Sequence, residues 1–167
     1  MNTTGKLVGL PNIMSRIKRG LAGYVSYLAA CEMNQAFSEY VLYEPILRIL
    51  LARNYKVECE AVCPGVKQPK SGDKKRLDFV ARGHGSHFAL EVKWAKRRKL
   101  HVENDFEKLE GFRKAQPGNR SFLCAFGRKS VLRHIELVGG RFKERGKAVI
   151  AEFKITKYGC RIYEVQA

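Results

Sequence analysis

Two strand-like runs joined by a short glycine-containing connection are the feature that most constrains how this chain folds. The runs extend from about Arg76 to Arg82 and from about His87 to Trp94, with Gly83-His84-Gly85-Ser86 between them. A connection of this length and composition between two such runs predicts a β-hairpin. The pairing of the two strands can therefore be counted from the sequence.

Counting along the hairpin predicts which residues face one another. If the four connecting residues form the loop, Arg82 pairs with His87, and each step back on one strand is a step forward on the other. The count places Asp78 directly opposite Glu91. Like charges in this position repel by about 0.2–1 kcal/mol where they are exposed. The pair therefore needs either nearby cations or a bound divalent metal.

Alternation of side chains along the strands gives the hairpin two unlike faces. The apolar face is expected to pack on a helix layer and consists of Leu77, Phe79, Ala81, Phe88, Leu90, Val92 and Trp94. The charged face consists of Arg76, Asp78, Val80, Arg82, His87, Ala89, Glu91 and Lys93. Two interpretations of this second face stay open: a solvated surface on which Arg76 and Lys93 offset the acids, or a metal site.

A helix predicted from about Ser38 to Asn54 turns a further acid toward the core. Serine is favoured at helix N-caps, and apolar residues follow at helical spacing: Val41, Leu42, Ile46, Ile49 and Leu50. On a helical wheel Glu39 lies within this apolar stripe, whereas Glu44 lies toward solvent. An inward acid is costly unless it is paired or ligates a metal. The alternative is that the Glu39 carboxylate stays in contact with solvent and is stabilised only by the helix dipole.

The charge of the chain is strongly positive. Lysine and arginine total 32 against 16 acids, which gives a formal charge of +16. Such an excess favours a polyanionic partner, with nucleic acid first and an anionic membrane surface second. A basic structural or assembly protein is the third interpretation. The cations that flank the hairpin, and that we expect to contact backbone phosphates unless they are merely solvated, are Lys74, Lys75, Arg76, Lys96, Arg97, Arg98 and Lys99.

The rest of the pattern predicts a single α/β domain in which helices flank a mixed sheet. Residues 1 to about 11 are expected to form a flexible lead, followed by an N-terminal helix from about Asn12 to Met33. The remaining predictions are strands over 55–62, 121–126, 147–155 and 160–165, helices over 102–115 and 129–138, and a turn at Tyr158-Gly159.

The cysteines favour a cytoplasmic protein. Their number, five, is odd, and no second Cys or His pair accompanies Cys59 and Cys63 at zinc-ligand spacing. Buried reduced thiols are therefore expected. The run Leu28-Ala29-Ala30-Cys31 resembles a lipoprotein cleavage site, but the apolar stretch before it is interrupted and too short to span a bilayer. Part of an amphipathic helix explains it better.

Arg76-Leu77-Asp78-Phe79-Val80, followed by Leu90-Glu91-Val92-Lys93-Trp94, resembles the signature of the PD-(D/E)XK, or restriction-endonuclease-like, nucleases. The resemblance implies that Asp78, Glu91 and Lys93 form the catalytic set, with Glu39 as the helix acid often found in the family. Leu77 replaces the proline of the name. The likeness covers about Ser38 to Phe126, and the helix with Asn104-Asp105-Phe106-Glu107-Lys108-Leu109 is similar to the element that follows Glu-X-Lys.

This resemblance implies a phosphodiester hydrolase that uses Mg²⁺, with Mn²⁺ as an alternative. Asp78 and Glu91 would ligate the metal, together with the Val92 carbonyl, and Lys93 would act on the attacking water. DNA is the expected substrate and RNA is left open. A homodimer would suit double-strand cutting, although no sequence feature demands one. The rival interpretation is a non-catalytic nucleic-acid-binding module with the same fold.

Overall fold

The computed structural model of the protein describes residues 9–33, 38–153 and 156–166, with the side chains of residues 153 and 156 excepted. Its helices are α1 (Leu10–Ala30), α2 (Tyr43–Leu51), α3 (Glu103–Ala115) and α4 (Lys129–Leu132), and a 3₁₀ turn (Tyr40–Leu42) precedes α2. Its strands are β1 (Lys56–Val62), β2 (Arg76–Gly83), β3 (Ser86–Ala95), β4 (Lys99–His101), β5 (Arg120–Arg128), β6 (Glu136–Val138), β7 (Phe142–Glu144), β8 (Val149–Phe153) and β9 (Thr156–Val165).

A mixed β-sheet forms the centre of the described chain. Its strand order is β1-β2-β3-β5-β9-β7, and β8 also pairs with β9. The β3–β5 pair is parallel, and the other pairs of this sheet are antiparallel. A second small sheet joins β4 and β6 in parallel. The prediction of a mixed α/β fold around a central mixed sheet is confirmed.

Helices cover both faces of the sheet. Apolar residues of α1 and α2 form one buried cluster with alternate residues of the central strands, among them Phe79, Phe88 and Leu90. Residues of α3 and α4 form a second cluster with Ala89, Leu123 and other residues that point the opposite way. Because strand side chains alternate, a sheet buried on both faces supplies both clusters. The predicted N-terminal helix packs on the first face.

The hairpin has the predicted register but a shorter turn. Arg82 pairs with His87, and the pairing continues through Phe79 and Leu90. Gly83 and Ser86 form the last pair instead of belonging to the loop. His84 and Gly85 therefore make a two-residue turn with φ values of 50° and 70°. Positive φ at both central positions matches the right-handed twist of the strands.

The predicted apolar face is correct except at Leu77. The other members pack with α1 and α2, whereas Leu77 belongs to the cluster beneath α3. The irregularity is local: neither ladder pairs Asp78, and Glu60 on β1, which the β1–β2 ladder also omits, has a φ of 52°. The charged face is not uniform: α3 covers Glu91, which is only 3% exposed, whereas Arg76 and Arg82 are exposed and Asp78 contacts Tyr43 of α2.

Other boundaries differ where short elements carry no periodic signal. Helix α1 begins at Leu10, within the predicted lead, and Pro11 lies in its first turn, where a missing N–H costs nothing. The helix predicted over 129–138 is a single turn followed by β6. Strands β4 and β7 were not predicted.

The predicted turn at Tyr158-Gly159 is wrong, because both residues lie inside β9. Gly159 pairs with Ile150 of β8, and a Cβ on it would lie 2.6 Å from the Val149 carbonyl oxygen. The glycine therefore marks a close approach of two strands rather than a turn. Most of the predicted lead, residues 1–8, lies outside the described residues.

All five cysteines are free. Cys63, Cys124 and Cys160 are buried as expected, but Cys31 and Cys59 are exposed. Within the described part of the chain, no helix is long and apolar enough to cross a membrane.

Candidate active site

Two hydrogen bonds tie Asp78 to the segment Glu91-Val92 of β3. The backbone N–H of Val92 donates to Asp78 Oδ2 at 2.7 Å, and the backbone N–H of Asp78 donates to Glu91 Oε1 at 3.3 Å. The β2–β3 ladder ends at the preceding pair, Phe79 and Leu90. The two carboxylates thus satisfy backbone donors at the point where the ladder stops. The two acids are neighbours across the hairpin, as the counted register predicts, but the ladder does not pair them directly.

The Asp78 carboxylate is approached from the α2 side of the sheet. The Tyr43 hydroxyl lies 2.5 Å from Asp78 Oδ1 and 2.9 Å from Glu60 Oε1. A phenol has one hydrogen, so it donates to only one of these carboxylates at a time. Burial raises the pKa of Asp78 above its ordinary value, although the bonds from Tyr43 and Val92 favour the charged form. Two acids around one hydroxyl leave excess negative charge here.

Glu91 is more deeply placed and faces α3. Lys108 Nζ donates to Glu91 Oε2 at 2.8 Å and to the Arg76 carbonyl oxygen at 3.0 Å. Burial, followed by repulsion from Asp78, raises the pKa of Glu91 to about 8, and Lys108 only partly opposes this. A carboxyl in this state takes up a proton near neutral pH or requires a further cation beside it.

The motif lysine is held by an acid on α3. Lys93 Nζ lies 2.9 Å from Asp105 Oδ2, and Lys108 Nζ lies 3.7 Å from Asp105 Oδ1. Burial alone would lower the pKa of Lys93, but its hydrogen bond to Asp105, together with the charges of Asp105, Glu39 and Glu91, outweighs burial and leaves the pKa raised. Lys93 is therefore a charged donor next to Glu91, and its position depends on Asp105.

Glu39 reaches the sheet, as the helical wheel predicted. Its Oε1 accepts a hydrogen bond of 3.0 Å from the backbone N–H of Trp94, which follows Lys93. The segment is a 3₁₀ turn rather than the start of the α-helix, and the Ser38 hydroxyl accepts from the Val41 N–H at 3.4 Å. Glu44 is exposed and pairs with Arg48, as its wheel position indicated.

The acid pair fits a hard cation that keeps most of its own waters. Asp78 and Glu91 supply carboxylate oxygens, and the expected third ligand, the Val92 carbonyl, belongs to the residue whose N–H donates to Asp78 Oδ2. No group of three His, Cys, Asp or Glu side chains in residues 9–33, 38–153 and 156–166 could hold a metal. Magnesium is commonly bound through one or two carboxylates plus water, which suits this set.

The predicted phosphate-contacting cations divide into paired and exposed groups. Lys75 pairs with Glu107 at 2.8 Å, and Arg76 donates to the Glu60 carbonyl oxygen at 2.9 Å. Lys96 lies over the Trp94 ring, 4.5 Å from its centroid. The remaining members are exposed, namely Lys74, Arg97, Arg98 and Lys99. They are available to an anionic partner, and Lys75 and Arg76 are less so.

Sequence reasoning missed four residues of the site: Tyr43, Glu60, Asp105 and Lys108. It expected Arg76 to offset the two acids, whereas the cation that contacts Glu91 is Lys108. A wheel of α3 could have detected part of this set, because Asp105 shares the buried stripe with Leu109 and Phe112. Glu60 gave no such signal, since its backbone takes a φ of 52° that the strand pattern does not show.

Comparisons with models of protein families, with curated proteins and with solved structures found no match to this chain.

Proposed function

We propose that this protein is a Mg²⁺-dependent endonuclease that hydrolyses phosphodiester bonds of DNA through Asp78, Glu91 and Lys93, on a fold of the restriction-endonuclease-like type. The observation that carries the proposal is that Asp78 lies against Glu91 and Val92 where β2 and β3 stop pairing: its N–H donates to Glu91 Oε1, and its Oδ2 accepts from the Val92 N–H. The free thiols are consistent with a reducing cytoplasm.

The electrostatics of the pair support a cation-binding role. Two neighbouring carboxylates with raised pKa values, one of them nearly inaccessible, are costly for the fold to keep. Such groups concentrate at functional sites. A Mg²⁺ ion bound there, with Mn²⁺ as an alternative, would neutralise phosphate charge and lower the pKa of a coordinated water.

The surrounding side chains have definite tasks in this proposal. The charged ammonium group of Lys93 lies beside Glu91. It is suited to orient the attacking water and to stabilise the negative charge on the phosphate in the transition state. Glu39 fixes the backbone just after Lys93 through the Trp94 N–H and leaves a second oxygen for a water. The exposed cations from Lys96 to Lys99 would contact the phosphate backbone.

One observation favours the alternative, a non-catalytic nucleic-acid-binding module. Lys108 bonds directly to Glu91, and Lys93 is engaged by Asp105. Two ammonium groups could neutralise the acids without a metal. In that case the basic surface would still bind nucleic acid, but the acid pair would be a buried ionic network.

Cleavage of supercoiled plasmid separates the two functions. We expect nicking or linearisation with Mg²⁺, none with EDTA, and a loss of about 10²–10⁴-fold for Asp78→Ala and Lys93→Ala. Glu107→Gln is the matched control, because Glu107 is an exposed acid on α3 that pairs with Lys75. A parallel assay with an RNA substrate shows whether the protein cleaves DNA or RNA.

Absence of cleavage by the wild type, or equal rates in the wild type and both alanine variants, would contradict the enzyme. Salt-sensitive binding without cleavage would support the binding module.

A further inference from the structure

A cationic cavity is lined by residues outside the candidate active site. It has a volume of about 460 Å³ and lies between the first turns of α1, the start of β5 and the turn from β7 to β8. The strand β5 begins at Arg120, which pairs with Phe88, whereas Lys93 pairs with Ala125 farther along. The cavity shares no residue with the candidate active site.

Every charged residue among the described residues that line the cavity is basic. The cations are Lys18, Arg19, Arg120, Arg145 and Lys147, and no acid is among the lining residues. Glu164, behind the wall, pairs with both Arg120 and Arg145, so a single carboxylate serves two guanidinium groups. The wall therefore keeps a net positive charge.

Lys18 is the most informative member because it is 94% buried, with a relative exposure of 6%. Its Nζ donates to the carbonyl oxygens of Arg145 at 2.7 Å and Lys147 at 2.9 Å. In the described chain no ion pair joins it to a carboxylate. A buried ammonium has three donors and is costly without a counter-charge. An anion in the cavity would supply that charge.

The turn that carries Arg145 and Lys147 is shaped around this ammonium. Gly146 lies between them with a φ of 69°, and a Cβ there would lie 3.2 Å from Lys18 Nζ. The two carbonyl groups point at Nζ. The cationic wall is thus held in place by the buried lysine and not by flexible surface side chains alone.

Apart from Ser15, the rest of the wall is apolar and suits an aromatic ring. Leu10, Pro11, Met14 and Val149 line it beside the cations. A methionine sulfur packs well against aromatic rings, and a guanidinium group stacks on them. The volume lies within the usual range for small-molecule sites, about 300–1,000 Å³.

We propose that this cavity binds the phosphate monoester of a nucleoside. The phosphate would take charge-assisted hydrogen bonds from Arg145, Lys147 and Lys18, and the base would lie against Met14 and the neighbouring apolar side chains. The ligand is either a free mononucleotide or the 5′-phosphorylated end of a strand. The proposal does not depend on cleavage at Asp78 and Glu91.

Calorimetric titration of the full chain in EDTA tests it with AMP, adenosine, and tetranucleotides with and without a 5′-phosphate. We expect AMP to bind at least about tenfold more tightly than adenosine, because hydrogen bonds from charged donors to the phosphate are stronger than neutral ones. A higher affinity for the 5′-phosphorylated tetranucleotide than for its 5′-hydroxyl form assigns a strand end. Binding of AMP alone assigns a free nucleotide.

Substitutions locate the site. Lys147→Gln, at an exposed position, and Arg145→Gln should each weaken AMP binding about tenfold. Arg16→Gln is the matched control, because Arg16 is on α1, bonds to Asn12 and does not line the cavity. The proposal is overturned if no phosphorylated ligand binds saturably, if AMP binds no better than adenosine, or if Arg16→Gln weakens binding as much as Lys147→Gln. Asp78→Asn should bind AMP as the wild type does, whatever its effect on cleavage.

Discussion

The ammonium group of Lys93 lies 2.9 Å from the carboxylate of Asp105, so the motif lysine of β3 is positioned by an acid on α3. This pair joins the hairpin to the helix that covers it. The same acid lies within ion-pair distance of Lys108, which itself bonds to Glu91. The candidate site is therefore one network of two acids, two lysines and a positioning aspartate, rather than a hairpin motif alone.

Asp105→Asn should lower the rate of DNA cleavage by about 10–100-fold, the usual effect of removing a group that orients a ligand or donor. The reason is that Lys93 loses the charge that keeps it in place. Single-turnover cleavage with saturating substrate measures the effect, and Glu107→Gln on the exposed side of α3 is the control. Equal rates for Asp105→Asn and the wild type would show that Lys93 needs no positioning.

Lys108→Met should destabilise the fold more than Lys75→Met. Lys108 bonds to a nearly inaccessible carboxylate, and removing one partner of a buried charged hydrogen bond costs about 1–3 kcal/mol or more. The Lys75–Glu107 pair is partly exposed, and such surface pairs contribute about 0–1 kcal/mol. Urea denaturation of the two variants gives the comparison. A larger loss of unfolding free energy in Lys75→Met than in Lys108→Met would contradict the burial of the Glu91–Lys108 pair.

Mg²⁺ should raise the thermal stability of the wild type, because a ligand bound only by the folded state stabilises it by about 2.7 kcal/mol at 100 times its dissociation constant. Asp78→Asn should show little of this effect. Thermal melts with and without MgCl₂ measure it, with Glu60→Gln as a comparison, because Glu60 contacts Tyr43 but is not assigned to the metal. An equal Mg²⁺-dependent rise in the wild type and Asp78→Asn would place the ion elsewhere.

Glu164 should make the fold sensitive to acid. Burial alone would raise its pKa, but hydrogen bonds from Arg120 and Arg145 outweigh burial and hold the pKa below its ordinary value. A lowered folded-state pKa stabilises the fold above the unfolded value, about 4.3, and this stabilisation is lost as the pH falls through the folded value. Urea denaturation at pH 7 and pH 3 should show Glu164→Gln less stable than the wild type at pH 7, with a smaller difference at pH 3. A constant difference at both pH values would contradict the assignment.

Much of the fold and part of the site could be predicted because they depend on local counting. The hairpin register followed from the connection between β2 and β3, and it brought Asp78 to Glu91. Glu39 followed from its position relative to apolar residues nearby in sequence. Asp105 and Lys108 could not be placed in the same way, because their contacts depend on where α3 lies on the sheet, which is set by packing between distant residues.

Short strands and irregular backbone were the other sources of error. Strands β4, β6 and β7 have three residues each, too few for alternation to be visible. Gly159 looked like a turn residue, but it allows β8 and β9 to approach. Leu77 belongs to the other cluster because the strand pairing is irregular at Asp78 and at Glu60, whose φ is positive.

The most direct test of the central claim, that Asp78 and Glu91 together hold a divalent cation, is an anomalous difference map from crystals of the protein soaked in Mn²⁺. We expect a single strong peak bonded to one oxygen of Asp78 and one of Glu91, with the Lys108 ammonium displaced from or sharing the Glu91 carboxylate. The peak should be absent from Asp78→Asn crystals. A map without a peak between these two residues, with Lys108 still bonded to Glu91, would contradict the claim and leave the acid pair as an ionic network.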